Sequence, residues 1–190
     1  SLGLRLTAIE VESIALIRAL IKQLNKTNTL IVDIGTESTN IVISEKGILK
    51  GNSQTDYGGI YLTQALSRSL GISLARAEEL KRRKGLLGTG GEVELSTLMI
   101  PFLDVIIQEC GHAKNVYENR YNKKVENMFL VGGGANLLGI ENYFGTQLNL
   151  PVVAPIILND MTRPSVLEPT IKELNNQLSV AVGLAKRYFG

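Results

Sequence analysis

Short apolar runs alternate with longer stretches of helical periodicity, and most junctions carry glycine. Leu2–Ile9 alternates weakly through Leu4, Leu6 and Ala8, which predicts a strand. Val11–Leu24 places Val11, Ile14, Ala15, Ile17, Ile21 and Leu24 at helical spacing. Thr29–Asp33 and Asn40–Ser44 read as strands, and Glu45-Lys46-Gly47 reads as a hairpin returning through Ile48 and Leu49 to Ser53. Gly58-Gly59 closes that segment. Helices are then expected over Ile60–Leu70 and Leu74–Lys84, with Gly71 ending the first and Ser73 capping the second. Gly85–Gly91 reads as a glycine-rich loop. A long helix follows from about Leu95 to Tyr121, striped by Met99, Phe102, Ile106, Cys110, Ala113 and Tyr117, with Pro101 kinking or restarting its first turns. Asn127–Val131 predicts a strand, Leu138–Leu148 a helix and Val152–Val153 a short strand. A polar loop spans Ile157–Pro169, and Leu174–Tyr188 closes the chain as a helix with Leu174, Leu178, Ala181, Ala185 and Tyr188 on one stripe. Strands interleaved with helices argue an α/β fold.

Two of the glycine junctions carry chemistry. Leu30-Ile31-Val32-Asp33 delivers a carboxylate into Ile34-Gly35-Thr36-Glu37-Ser38-Thr39-Asn40, a small, hydroxyl-rich turn. Such a turn can donate amides and hydroxyls to phosphate while its carboxylate orients a magnesium-bound water. An Asx turn inside a plain hairpin would use the same residues. Met128-Phe129-Leu130-Val131 runs into Gly132-Gly133-Gly134-Ala135-Asn136, where bare backbone can meet a flat or charged ligand group. A dinucleotide fingerprint would need glycine at Leu137, and a P-loop would need lysine at Ile140, so both of those motifs fail. Glu78 and Lys81 sit at helical spacing and serve equally as an ion pair on a solvated face. His112 has no partner motif, Cys110 falls on a core stripe, and there is no Gly-x-Ser-x-Gly elbow.

Composition narrows the classes further. With 190 residues the chain fits one domain or two small lobes, and a net charge of +2 leaves no nucleic-acid footprint. One cysteine precludes an intramolecular disulfide and fits a reducing compartment. No stretch approaches the ~20 apolar residues of a membrane span, and no signal-peptide core is present, so a cytoplasmic location is expected.

Together these segments resemble the actin-like ATPase superfamily, and within it the PilM family of type IV pilus assembly proteins. Val32 to Asn40 resembles that superfamily's second phosphate loop. Gly58-Gly59-Ile60-Tyr61-Leu62-Thr63 and Ala77-Glu78-Glu79-Leu80-Lys81 resemble its Gly-Gly-x-x-x-Thr and Ala-Glu-x-x-Lys segments. Leu130 to Gly139 resembles its adenosine loop, and Ala181-Val182-Gly183-Leu184-Ala185 its closing helix. The resemblance implies a ribonuclease H-like lobe: a mixed sheet with flanking helices and a reduced helical subdomain over residues 60–94. Residues 1–26 would link to a preceding lobe, residues 27–59 and 95–173 would form the second lobe, and 174–190 the closing helix. The first phosphate loop would then lie upstream, in the other half of a bilobed protein.

The same resemblance implies ATP and Mg²⁺ as cofactors. Asp33 would stand near the metal; Gly35, Thr36, Ser38 and Thr39 near phosphates; Gly58 and Gly59 near phosphate or ribose. Glu78 and Lys81 would flank the adenosine, with Gly133, Gly134 and Ala135 beneath it. It further implies a cytoplasmic scaffold held at the inner membrane through partners, among them the tail of a PilN-like membrane protein bound by the other lobe, and other pilus assembly proteins. A weak ATPase activity would belong to the intact protein. Self-association through the apolar faces of Val11–Leu24 and Leu174–Tyr188 is a further expectation. The division protein FtsA is similar in the same motifs but would add a basic amphipathic tail, which Ala185 to Gly190 does not supply. A small-molecule kinase of the same fold and a module that has lost ATP are the remaining alternatives.

Overall fold

Strand β1 (Asn28–Ile34) is buried at every position, as a strand must be when both faces of its sheet are covered. The computed structural model describes residues 7–87, 93–159, 161–162 and 164–189. β1 pairs antiparallel with β2 (Thr39–Glu45), which pairs antiparallel with β3 (Ile48–Thr55). On its other side β1 runs parallel to β4 (Asn127–Val131), and β4 runs parallel to β5 (Val152–Val153). The sheet order is therefore β3-β2-β1-β4-β5. Lys46 and Gly47 both take positive φ, 50° and 83°, the backbone twist that a two-residue hairpin between β2 and β3 requires.

Strand periodicity divides the core in two. Leu30, Val32 and Ile34 point to the face covered by α2 (Gly59–Leu70), α3 (Leu74–Lys84), α4 (Val93–Tyr121) and α5 (Ile140–Leu148). Leu62, Leu66 and Ala77 of the α2–α3 pair belong to this same core, so these helices share the interior of the sheet layer. Ile31, Val42 and Phe129 point to the opposite face, covered by α1 (Glu12–Leu24) and α7 (Ser179–Phe189). Gly71 ends α2 in the left-handed conformation, and the Ser73 hydroxyl accepts from the Arg76 amide, as the sequence predicted. α4 continues through Pro101 as one helix. Among the described residues, no helix is long and apolar enough to cross a membrane.

Four expectations change. Of the strand expected over Leu2–Ile9, residues 7–9 are irregular and the remainder lies outside the described residues, as do 88–91 of the glycine-rich loop. α5 starts at Ile140, because Gly139 at φ 86° is not helical. Of the stripe expected in α1, Ala15, Ile17 and Leu24 are buried, together with Leu16, Ala19 and Leu20, whereas Val11, Ile14 and Ile21 are exposed. The closing helix is two helices, α6 (Ile171–Gln177) and α7, divided at Leu178. The Asn176 carbonyl, which would continue the helix, instead accepts from the Gly132 amide at 2.9 Å and the Ser179 hydroxyl at 3.1 Å. The buried stripe of this region is Asn175, Ser179, Val182 and Gly183, not Leu174 to Tyr188. A Cβ on Gly183 would stand 1.9 Å from the Ala15 carbonyl oxygen, so α1 and α7 cover each other backbone to backbone.

Candidate functional site

The carboxyl ends of parallel β1 and β4 lie side by side, with Asp33 in register with Val131. Both glycine turns therefore leave the sheet at one point, where open α/β sheets form crevices. Gly132 is held at φ 82°, and a Cβ there would fall 2.3 Å from Asp33 Oδ1 and 2.5 Å from the Ile34 carbonyl oxygen. Only glycine lets the second turn sit this close to the first. Above them opens a cleft of about 980 Å³, a size suited to a nucleotide-sized ligand. Gly35, Thr36, Gly59, Glu78, Lys81, Gly133, Gly134 and Ala135 all line it, from four separate segments of the chain. Its far lip is built from Pro169, Thr170, Lys172 and Glu173 at the start of α6.

Lys81 is the fixed point of one wall. Its ammonium donates to the Gly59 carbonyl at 2.9 Å and the Thr63 hydroxyl at 2.9 Å, and pairs with Glu78 at 2.7 Å. Glu78 also accepts from Thr63 at 2.5 Å and from Arg82 at 2.9 Å. Partial burial pushes the Glu78 carboxyl up, but the hydrogen bonds from Lys81, Thr63 and Arg82 outweigh it and hold the group down at about 2. The Glu78 carboxylate is thus ionised at neutral pH. The Gly59 and Ile60 amides that begin α2 donate to the Gly35 and Thr36 carbonyls at 3.0 and 2.9 Å, which ties the first turn to the same wall.

Asp33 and Ser38 stand apart from that cleft. They line an adjoining recess of about 240 Å³ with Glu12, Asn40 and Gln177, and Gly35 and Gly133 border both spaces. Asp33 is 7% exposed. Burial raises its carboxyl to about 6, and the nearby Glu12 charge pushes in the same direction. A buried acid beside a second carboxylate, with no cationic partner among the described residues, is a donor set that a divalent cation would relieve. Among the described residues no three acidic, histidine or cysteine side chains converge, so a Mg²⁺ here would share its coordination with phosphate and water.

Two expected phosphate contacts take other roles. Thr39 is fully buried, and its hydroxyl donates to the Tyr57 carbonyl at 2.7 Å, bracing the turn from below. Gly58 lines neither space; a Cβ there would lie 2.6 Å from the Thr36 carbonyl oxygen, so it serves the close packing of the turn on α2. Gly134 borders the cleft, yet its missing Cβ points at Ile34 Cγ2, 2.3 Å away, whereas Gly133 faces open space. His112 is exposed and Cys110 is buried, with burial raising its thiol pKa. Glu12, Thr63 and Asn176 were given no role from the sequence. Thr63 carried a signal in the Gly-Gly-x-x-x-Thr pattern. Glu12 carried none, because only the packing of α1 across β2, where Glu12 accepts from Asn40 Nδ2, brings its first turn to Asp33. Asn176 accepts the Gly132 amide through its carbonyl and donates from Nδ2 to Asn136 Oδ1 at 2.7 Å, which fixes the glycine loop to α6.

The family model described as type IV pilus assembly protein PilM matches residues 1–189. The chain belongs to this family. Its fold is actin-like. It is similar to a chain of the PilM–PilN type IV pilus biogenesis complex, with TM-score 0.83 and 24% identity over 97% of this chain and 54% of that one. It is also similar to MreB5 of Spiroplasma citri bound to AMPPNP, with TM-score 0.69 and 17% identity over 96% of this chain and 59% of that one. A third likeness is to Ta0583, an archaeal actin homologue in complex with ADP, with TM-score 0.64 and 17% identity over 94% and 57% of the two chains. The chain spans between half and three-fifths of the length of these proteins.

Proposed function

We propose that this chain is the nucleotide-binding second lobe of an actin-like scaffold in the type IV pilus assembly platform at the inner membrane. The observation that carries this reading is the meeting of the two glycine turns at the ends of β1 and β4, under a cleft walled by the Lys81–Glu78–Thr63 network. Gly35 and Thr36 would meet the phosphates of ATP. Gly133 would lie against the adenosine, with Gly134 and Ala135 supporting that loop and Glu78 and Lys81 forming the wall beside it. Asp33, with Glu12 across the recess, would hold the hydrated Mg²⁺ that accompanies the phosphates. Bound between two lobes, the nucleotide would favour whichever lobe angle it contacts best, by its differential affinity for the two arrangements. The assembly partner is a PilN-like membrane protein, whose tail the other lobe would hold. That contact would keep the scaffold peripheral to the membrane.

Calorimetric titration with Mg-ATP tests the site. This chain alone should bind weakly, and a protein including the preceding lobe more tightly, because each lobe carries half of the phosphate clamp. Submicromolar binding by this chain alone would argue against a shared site, and no binding by the longer protein would remove the nucleotide reading.

A further inference from the structure

The end of the sheet opposite the cleft gathers cations from three unrelated segments. Lys26 follows α1, Lys46 and Lys50 flank the β2–β3 hairpin, and Arg120, Lys123 and Lys124 close α4. Packing draws these segments together. The Lys46 amide donates to the Thr27 carbonyl at 3.0 Å, and Asn28 Nδ2 donates to the Lys124 carbonyl at 3.0 Å. Lys50 and Arg120 both lie over the Tyr121 ring, 5.3 and 5.6 Å from its centre. Three acids share this end. Glu45 pairs with Lys123 at 2.6 Å, Glu118 pairs with Lys124 at 2.8 Å, and Glu126 Oε1 accepts the Asn28 amide at 3.0 Å. Six basic groups against three acidic ones leave an excess of three positive charges here, although the whole chain carries only +2. Cations following α1 and α4 complement the negative ends of those helices. Lys50 reaches the end of α4 through the Tyr121 ring, whereas Lys46 lies in the hairpin turn and belongs to no helix. Between them Ile48 is 61% exposed.

We propose that this basal face rests directly on an anionic lipid bilayer. Clusters of four to eight Lys and Arg at a surface suit phospholipid head groups. A bare apolar side chain flanked by cations suits a bilayer boundary, where it can enter the acyl edge while its neighbours meet phosphate. An acidic protein would match the charge but would leave Ile48 without a partner. The face lies at the far end of the sheet from the glycine turns, so the proposal stands independently of the nucleotide reading.

The test is co-sedimentation of the protein with vesicles of pure phosphatidylcholine and with vesicles containing phosphatidylglycerol. Binding should need phosphatidylglycerol and should vanish near 1 M salt, where the screening length falls to about 3 Å. The exposed triple variant Lys26→Glu, Lys46→Glu, Lys124→Glu should lose on the order of 100-fold in partitioning. A charge-matched control on α2 and α3, Arg68→Glu, Arg76→Glu, Arg83→Glu, should bind as the parent does, and Ile48→Ser should bind more weakly at every salt concentration at which the parent binds. Circular dichroism of each variant verifies that it is folded. Equal loss in the control, salt-insensitive binding, no binding to either vesicle, or capture by soluble polyglutamate in place of vesicles would each overturn the proposal.

Discussion

Replacing Asp33 with asparagine should make the protein more stable at neutral pH while disabling its metal recess. The carboxyl is buried, and its folded pKa is raised from 3.8 to about 6. A raised folded pKa means that the native state holds the proton more tightly than the unfolded chain does. The group's favourable contribution is therefore complete below the unfolded pKa, near 3.8, and is lost as pH rises through about 6. Two pH units at about 1.4 kcal/mol each put the cost of the ionised side chain at about 3 kcal/mol above pH 7. Asparagine keeps the shape and does not titrate. For a chain of this length, that difference corresponds to about 5–10 °C in melting temperature. Thermal unfolding of parent and Asp33→Asn at pH 4.5 and pH 8 reads it directly. The variant's advantage should be small at the lower pH and large at the higher one, and Mg-ATP should stabilise the parent more than the variant. A difference between the proteins that does not change with pH, or a variant less stable at pH 8, would refute the reasoning.

The two central glycines of the second turn should separate in their effects. Gly133→Val projects into open cleft, so it should weaken nucleotide binding in calorimetry with little change in melting temperature. Gly134→Val drives a side chain into Ile34 and should cost about 2–4 kcal/mol in denaturant titrations. Lys81→Ala leaves the Gly59 carbonyl, Thr63 and Glu78 short of a donor, and should cost about 1–3 kcal/mol while lowering nucleotide affinity. Gly183→Leu must part α1 from α7, so it should expose α1 to limited proteolysis and lower stability by about 3 kcal/mol or more.

Much of this protein was legible in local pattern. β4 and α3 fall on the predicted residues because each is bounded by its own punctuation, Gly132 after one and the Ser73 cap and Gly85 around the other. The β2–β3 hairpin was equally local, since Lys46-Gly47 is a backbone instruction that needs no partner. The glycine turns stood out as candidate chemistry for the same reason. The period of the closing segment persists through Leu178, so the local pattern there is that of one continuous helix. What breaks it is the demand of the Gly132 amide, some 40 residues away, for the Asn176 carbonyl.

The sequence by itself determined most of the elements, their order and the kinds of groups available to a phosphate ligand. Tertiary structure decided which of those groups reach a ligand. Parallel pairing of β1 with β4 brought two distant turns to one crevice, and the packing of α1 set Glu12 against Asp33. The direction of a missing Cβ made Gly133 a surface and Gly134 a packing contact, although the two are neighbours of identical composition. Thr39 and Ser38 are alike in the sequence, but strand pleat buries one hydroxyl beneath the turn and leaves the other beside the recess. Spacing along a chain fixes which residues share an element, while the orientation of each side chain depends on what that element is packed against.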